Sequence, residues 1–131
     1  MNNFAIAIHG GAGTLVKGLM TEALESQYKK TLKTALETGY RALEQGGSAL
    51  DVAEMAVKSL EDSPLFNAGK GAVFTAEGTH EMDASIMDGR TLNAGAVSLV
   101  TGIKNPVALA RDVMEKSNHV FLAGEGALQF A

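Results

Sequence analysis

Residues 82–100 read MDASIMDGRTLNAGAVSLV, two apolar runs on either side of a polar turn. Met82–Met87 and Ala94–Val100 have the apolar and β-branched content of strands. Between them lies Asp88-Gly89, a dipeptide that suits a tight hairpin turn. The stretch therefore predicts a pair of antiparallel strands.

Further strands are predicted on both sides of this hairpin. Ala72–Thr75 precedes it through a Glu77-Gly78 turn, so the simplest arrangement is an antiparallel meander of three strands. Phe4–Ile8 reads as a short buried strand that enters a glycine-rich loop, His9–Gly13, which we call the glycine loop. His119–Leu122 is a further strand near the end of the chain.

Helices are predicted where apolar residues recur every three or four positions. Thr21, Ser48 and Asn105 are suitable N-caps for three of them, and a fourth begins at Gly124. This order of elements separates the helices from a mostly antiparallel sheet. It predicts an α+β fold and argues against a doubly wound parallel sheet.

The composition limits the classes of protein to be considered. The chain has 131 residues, 46% of them hydrophobic, which fits one globular domain or part of a larger one. Its net charge of -4 and the lack of a basic run give no footprint for nucleic acid. No apolar stretch approaches the roughly 18 residues of a membrane span, and the opening residues do not resemble a signal peptide. We therefore expect a cytoplasmic protein with neither membrane nor nucleic acid as a partner.

The chain contains no cysteine, which excludes disulfides, thiolate nucleophiles and iron–sulfur clusters. Nucleotide-binding motifs are not supported either, because the glycine loop lacks the dinucleotide-binding spacing. Gly69-Lys70 is not a Walker motif, since Pro64 stands where the first glycine should be and glycine follows the lysine. Glycines after a strand could bring backbone amides close to an anion, but the loop by itself favours a structural turn that uses the positive φ of glycine. A serine nucleophile in a G-x-S-x-G context is missing as well.

Two other segments carry possible chemistry. His80, Glu81, Asp83 and Asp88 form the densest ionisable cluster and could serve as a divalent-metal or acid–base site. Structural roles compete with that interpretation, since Asp88 suits the turn and Asp83 could be a buried group that holds neighbouring backbone. The loop Leu60–Lys70 follows a helix and could direct backbone carbonyls at a monovalent cation, or could simply be a well-packed connection.

Four motifs in the order Ile6–Gly13, Gly46–Val52, Pro64–Phe74 and Glu81–Gly89 closely resemble those of the plant-type L-asparaginases, also called isoaspartyl peptidases. The resemblance implies an N-terminal-nucleophile hydrolase with a four-layer αββα sandwich, made as one precursor that cleaves itself into α and β chains. Residues 1–131 then correspond to the α subunit, which is half of a single domain.

In the family, the N-terminal threonine of the β chain is the nucleophile, and its free amine is the base. That threonine should follow a glycine and precede a strand of small residues. The two Gly-Thr pairs of this chain, Gly13-Thr14 and Gly78-Thr79, lack such a strand, so we expect the nucleophile in a partner β chain. Family α chains usually continue past the helix near Gly124 into a mobile linker, whereas this sequence ends at Ala131.

The resemblance also assigns roles to individual residues. Asn67 matches an asparagine that contacts the region of the catalytic threonine, and His9, Gly10 and Gly11 match a loop whose conformation is tied to self-cleavage. No organic cofactor is implied, but a structural sodium ion is. Its ligands would be the backbone carbonyls of Leu60, Glu61, Ser63, Phe66, Ala68 and Lys70.

The implied activity is hydrolysis of the side-chain amide of L-asparagine and of the β-aspartyl bond in isoaspartyl dipeptides. It would require the β chain, in an (αβ)₂ assembly. The alternative is a non-catalytic scaffold or binding module that diverged from, or was truncated from, that family. A metal-dependent hydrolase built on the His80 cluster is a third, weaker hypothesis.

Overall fold

The computed structural model describes residues 3–13 and 18–131. Met1, Asn2 and the Thr14 of the Gly13-Thr14 pair lie outside the described residues. The fold is mixed α+β, as predicted, and none of the helices in the described part of the chain is long and apolar enough to span a membrane. The elements are α1 (Glu22–Glu44), α2 (Ala49–Glu61), β1 (Met82–Met87), β2 (Ala94–Val100), α3 (Pro106–Lys116), β3 (Phe121–Ala123) and α4 (Gly124–Phe130), with one 3₁₀ turn at Gly69–Gly71.

The predicted hairpin is confirmed as the antiparallel pair β1 and β2. The connection is longer than a two-residue turn, because Asp88 N–H donates to the Asn93 carbonyl (2.9 Å) and Leu92 N–H donates to the Asp88 carbonyl (2.8 Å). Asp88 also accepts from Arg90 N–H (2.9 Å) and from the Thr91 hydroxyl (3.0 Å). The structural role expected for Asp88 in this turn is thus present.

The predicted three-stranded meander is wrong, because the third strand of the sheet is β3, which pairs parallel to β2. A parallel pair needs a crossover connection, and α3 supplies it between β2 and β3. The sheet order is β1-β2-β3, half antiparallel and half parallel.

Two predicted strands do not form. No strand among the described residues pairs with Phe4–Ile8, which runs as irregular backbone. Ala72–Thr75 is not a strand either, because side chains take the backbone groups of Val73: its N–H donates to Asn67 Oδ1 (3.0 Å), and its carbonyl accepts from His80 Nδ1 (3.2 Å). Val73 therefore has no N–H left to donate to a regular ladder, and its carbonyl is already bonded to a side chain.

The N-caps of the first two helices are confirmed. Thr21 Oγ1 accepts from Leu24 N–H and Ser48 Oγ accepts from Asp51 N–H, each at 3.1 Å. The predicted cap of α3 is wrong in its detail. Asn105 precedes Pro106 as expected, but its side chain makes no cap hydrogen bond.

Glu61, at the end of α2, replaces Asn105 as the cap of α3. Its Oε1 accepts from Val107 N–H at 3.0 Å, which satisfies one of the free amides at the helix start. The Asn105 side chain instead donates to Asp62 Oδ1 at 3.2 Å. The end of α2 and the start of α3 are thereby joined.

The core lies between the sheet and α3. Gly95 of β2 allows the close approach of that helix, because a Cβ atom there would overlap the Ala110 carbonyl oxygen and lie 2.6 Å from Met114 N. The buried core residues are Ala72, Met82, Ile86, Val97, Val100, Val107, Leu109, Ala110, Val113 and Ala127.

Arg111 joins α3 to α2 through charged hydrogen bonds. Its guanidinium contacts Glu54 (2.7 Å) and Asp51 (2.6 Å) on α2, and Glu115 (2.8 Å) on its own helix. The hydrogen bonds to Glu115, Glu54 and Asp51 raise the pKa of Arg111 further above its ordinary value. Because the side chain is only 21% exposed, these bonds are partly shielded from water.

Replacing Arg111 by methionine is expected to lower the free energy of unfolding by about 2 kcal/mol, because it removes the shorter of two ion pairs of the partly buried Glu54 and leaves only the pair with Lys58, at 3.5 Å. Chemical denaturation measures this loss. Lys116→Met is the matched control on the same helix. Its ion pair with Asp112 is exposed, so a change within about 0.5 kcal/mol is expected. Equal losses in both variants would contradict a special role for Arg111.

Candidate functional site

A cavity of about 320 Å³ brings the glycine loop and Asn67 together. It lies between the glycine loop, α1 and the loop Leu60–Lys70. Gly10, Gly11 and Asn67 line it and are among the residues to which the resemblance assigned roles. Its other lining residues include Glu25, Tyr28, Lys29, Leu32, Leu65 and Phe66.

His9 contacts a different space. With Ile6 and Ile8, it lines an apolar cavity of about 340 Å³ against α2. Its ring still reaches the glycine loop, because Nδ1 accepts from Gly11 N–H at 3.1 Å. Gly11 has φ of 98°, a conformation that glycine adopts without strain. The His9 ring therefore fixes the loop at the residue where the backbone is left-handed.

Asn67 uses half of its side-chain amide within the chain. Its Oδ1 accepts from Val73 N–H at 3.0 Å, which ties the loop after α2 to the segment before β1. The side chain is exposed, so Nδ2 remains accessible as a donor. Asn67 can thus be held by one end of its amide while the other end meets a substrate or a partner group.

The loop Leu60–Lys70 is tightly wound, and its carbonyls crowd around two glycines. A Cβ atom at Gly69 would lie 2.5 Å from the Glu61 carbonyl oxygen, and one at Gly71 would overlap the Phe66 carbonyl oxygen. Some carbonyls are already bonded inside the loop: that of Leu60 accepts from Ser63 N–H and that of Ala68 accepts from Gly71 N–H, both at 3.1 Å. Each carbonyl oxygen has a second lone pair, so these bonds leave room for a cation.

The Glu61 side chain was missed by the sequence reasoning, which considered only its carbonyl. The side chain is buried, and among the described residues its Oε2 has no hydrogen-bond partner. Burial raises the pKa of Glu61 above its ordinary value, against the lowering effect of Val107 N–H. A carboxylate in the last turn of a helix opposes the helix dipole, and this position was the signal that could have identified it.

The metal hypothesis for His80, Glu81, Asp83 and Asp88 is contradicted. Within residues 3–13 and 18–131, no three acidic or histidine side chains are close enough to hold a metal ion together. His80 bonds to Val73 and stacks on Phe74, with ring centroids 4.2 Å apart.

Asp83 holds a bulge in β2. It accepts from the Ser98 hydroxyl (2.6 Å) and from Leu99 N–H (3.0 Å), where the register shifts and Leu99 has φ of 54°. The expectation that Asp83 holds neighbouring backbone is therefore right, but Asp83 is exposed and not buried. The Ser98 hydroxyl, followed by Leu99 N–H, lowers the pKa of Asp83.

Asp83 gives a prediction about pH. A lowered pKa in the folded state means that these bonds stabilise the fold above about pH 4, the ordinary aspartate range, and lose their effect as the pH falls through the folded-state value. Asp83→Asn is expected to reduce stability near neutral pH, with a difference from the parent protein that narrows in acid. Unfolding free energies of both proteins, measured near neutral pH and in acid below about pH 4, test this. A stability difference that does not change with pH would contradict it.

Comparison with known proteins identifies the family. The model of the family described as "Asparaginase" matches residues 2–131, nearly the whole chain. The chain belongs to this asparaginase family. Its relatives include the isoaspartyl peptidases of Salmonella typhimurium and Escherichia coli, which are 53% and 54% identical over 131 residues, 100% of this chain. The plant-type L-asparaginase of Pyrococcus furiosus is 54% identical over 127 residues, 97% of this chain.

The asparaginase-family chain spans about two fifths of the length of these relatives. It covers 42% of the Salmonella typhimurium protein, 41% of the Escherichia coli protein and 40% of the Pyrococcus furiosus protein. The predicted resemblance to plant-type L-asparaginases and isoaspartyl peptidases is confirmed. The segments that the asparaginase-family resemblance placed around one site, the glycine loop and Asn67, are also adjacent in the fold.

Proposed function

We propose that this chain is the α part of a hydrolase that acts on the side-chain amide of L-asparagine and on the β-aspartyl bond of isoaspartyl dipeptides. The observation that carries the proposal is identity above 50% to isoaspartyl peptidases and an L-asparaginase along essentially the whole chain. The remaining three fifths of such a protein would supply the N-terminal threonine, after self-cleavage, as the β chain.

The chemistry follows from that nucleophile. The threonine hydroxyl attacks the side-chain carbonyl carbon while the threonine amine takes its proton. The tetrahedral intermediate then expels ammonia, or the amine of the second residue of the dipeptide, which leaves with that proton. Water hydrolyses the resulting β-aspartyl ester, which releases aspartate and restores the threonine hydroxyl.

This chain would support the reaction by positioning. Asn67 is anchored through Oδ1 to Val73 N–H and offers Nδ2 at the rim of a cavity that Gly10 and Gly11 also line. These groups would border the threonine when the two parts are assembled. Donors for the oxyanion and groups for the substrate's α-amino and α-carboxylate would come from the β chain.

Surfaces left uncovered by the described residues support a large partner. Phe4–Ile8 has the composition of a buried strand and no strand beside it. On the sheet face opposite α3, Ser85, Ala96 and Phe121 form one row across the three strands, and Phe121 is 56% exposed. A second sheet packed on this face would complete the four-layer αββα sandwich, with residues 1–131 as one part of a single domain.

A structural sodium ion is part of the proposal. The crowding of carbonyls around Gly69 and Gly71 fits a small cation bound by main-chain oxygens. The residues that would hold it are Leu60, Glu61, Ser63, Phe66, Ala68 and Lys70, and the ion would stabilise the loop without taking part in the reaction. An (αβ)₂ assembly and a cytoplasmic location complete the proposal.

The experiment is an assay of ammonia release from L-asparagine, and of amino-acid release from an isoaspartyl dipeptide, with the full-length protein. Turnover of either substrate, abolished when the threonine at the new N-terminus is replaced by alanine, is the expected result. A folded full-length protein with no turnover of either substrate would overturn the proposal and favour the non-catalytic scaffold.

A further inference from the structure

Phe66 connects the loop Leu60–Lys70 to the glycine loop. Its buried ring touches the glycine loop directly, since a Cβ atom on Gly10 would lie 3.0 Å from Phe66 Cε1. The Tyr28 ring stands edge-on to it, with centroids 5.5 Å apart. Leu32 of α1 also touches Gly10, because the same Cβ atom would lie 3.0 Å from Leu32 Cδ2.

The backbone of Phe66 is equally constrained. Its carbonyl accepts from Ala68 N–H at 2.8 Å and presses against Gly71 in the 3₁₀ turn, where a Cβ atom would overlap it. One residue therefore has its carbonyl inside the crowded loop and its ring against the glycine loop. In close-packed surroundings of this kind, a shift of the carbonyl moves the ring, and the ring moves what it contacts.

We propose that Phe66 is a positioning residue that couples cation binding in the loop Leu60–Lys70 to the conformation of the glycine loop. The inference rests on the sodium site of the proposed function. A cation that orders the Phe66 carbonyl also orders its ring, which then restricts Gly10 and the left-handed Gly11. By linkage, a glycine loop held in that conformation strengthens cation binding by the same factor.

Hydrogen exchange of the full-length protein tests the coupling, in sodium chloride against choline chloride at equal ionic strength. Peptides covering residues 4–13 and 58–71 report the two loops, and residues 106–116 report the fold. Sodium is expected to slow exchange in both loops of the parent protein by at least about fivefold. The extent of self-cleavage in the two salts gives a second readout.

Two variants separate coupling from simple packing. Phe66→Leu is expected to keep sodium protection in residues 58–71 but to lose it in residues 4–13. Leu32→Ala is the matched control, because Leu32 contacts Gly10 from outside the cation loop. It should speed exchange in residues 4–13 in both salts and leave the sodium response intact. Loss of protection in residues 106–116 would mean that Phe66→Leu disturbs the whole fold. The test then uses Phe66→Met instead, because methionine fills the space without a planar ring.

The outcomes are distinguishable. Sodium protection of residues 58–71 without protection of residues 4–13 in the parent protein would overturn the coupling and leave the sodium site standing. A sodium response of residues 4–13 that survives in the Phe66 variant would also overturn it. If sodium has no effect on either loop, both the ion site and the coupling are wrong. The hydrolase proposal would be unaffected, because its own assay tests it separately.

Discussion

Replacing Gly95 by alanine is expected to destabilise the protein by at least about 3 kcal/mol, the upper range of overpacking costs. The added Cβ atom would overlap the Ala110 carbonyl oxygen and lie 2.6 Å from Met114 N, so it meets backbone and not a flexible side chain. To relieve the overlap, α3 has to move away from β2 and open the core. Chemical or thermal unfolding of the full-length protein measures the loss.

Gly126→Ala is the control for Gly95→Ala. Gly126 lies within α4, and a Cβ atom there would meet nothing within 4 Å. Alanine favours the helix over glycine by up to about 1 kcal/mol, so this variant should be as stable as the parent or slightly more stable. A Gly95→Ala protein as stable as Gly126→Ala would show that the helix does not pack on the sheet as closely as described.

The second large effect is expected at Asn67. Asn67→Ala removes both the acceptor of Val73 N–H and the exposed amide donor at the cavity rim. Under the proposed function, we expect turnover, or the rate of self-cleavage, to fall by about 10²-fold, the usual cost of misplacing a reacting group by a small distance. Because the side chain is exposed, the folded structure should persist. Steady-state kinetics and the circular dichroism spectrum measure the two effects.

Two further variants separate the roles of Asn67. Asn67→Asp keeps an oxygen acceptor for Val73 N–H but loses the donor, so a loss close to that of Asn67→Ala would assign the effect to Nδ2. A near-normal rate in Asn67→Asp would assign the loss to the hydrogen bond between Oδ1 and Val73 N–H. Asn93→Ala, in the exposed hairpin connection, should leave kinetics unchanged. Unchanged turnover and self-cleavage in Asn67→Ala would remove Asn67 from the site.

Local signals predicted part of the fold. Thr21 and Ser48 cap their helices because each hydroxyl accepts a hydrogen bond from an amide three residues further on. This bond does not depend on the rest of the fold. The hairpin of β1 and β2 is also local, with its two runs only a few residues apart. These elements depend on neighbours in sequence, and sequence patterns describe such neighbours well.

Pairing over longer distances was not predictable in the same way. Phe4–Ile8 has strand composition, but a strand forms only where another strand supplies a ladder. Ala72–Thr75 fails for a different reason, because Asn67 and His80 take the N–H and carbonyl of Val73. The Glu61 cap of α3 joins residues 46 positions apart, and no local pattern reports such a contact.

The candidate site shows the same division. The motifs indicated the residues, but their meeting in one cavity depends on α1 placing Leu32 and on the loop Leu60–Lys70 placing Phe66 against Gly10. His9 is adjacent in sequence to Gly10 yet lines another cavity. The ionisable cluster shows the opposite, because residues that are close in sequence do not form one site. His80 and Asp83 make separate contacts with different parts of the backbone.

The central claim is that this chain works with a threonine nucleophile created by self-cleavage. It is tested most directly by a denaturing intact-mass spectrum of the purified full-length protein, with N-terminal sequencing of each component. The proposal predicts two chains, of which the one lacking this sequence begins with threonine. A single uncleaved chain, or a second chain with another N-terminal residue, would contradict it.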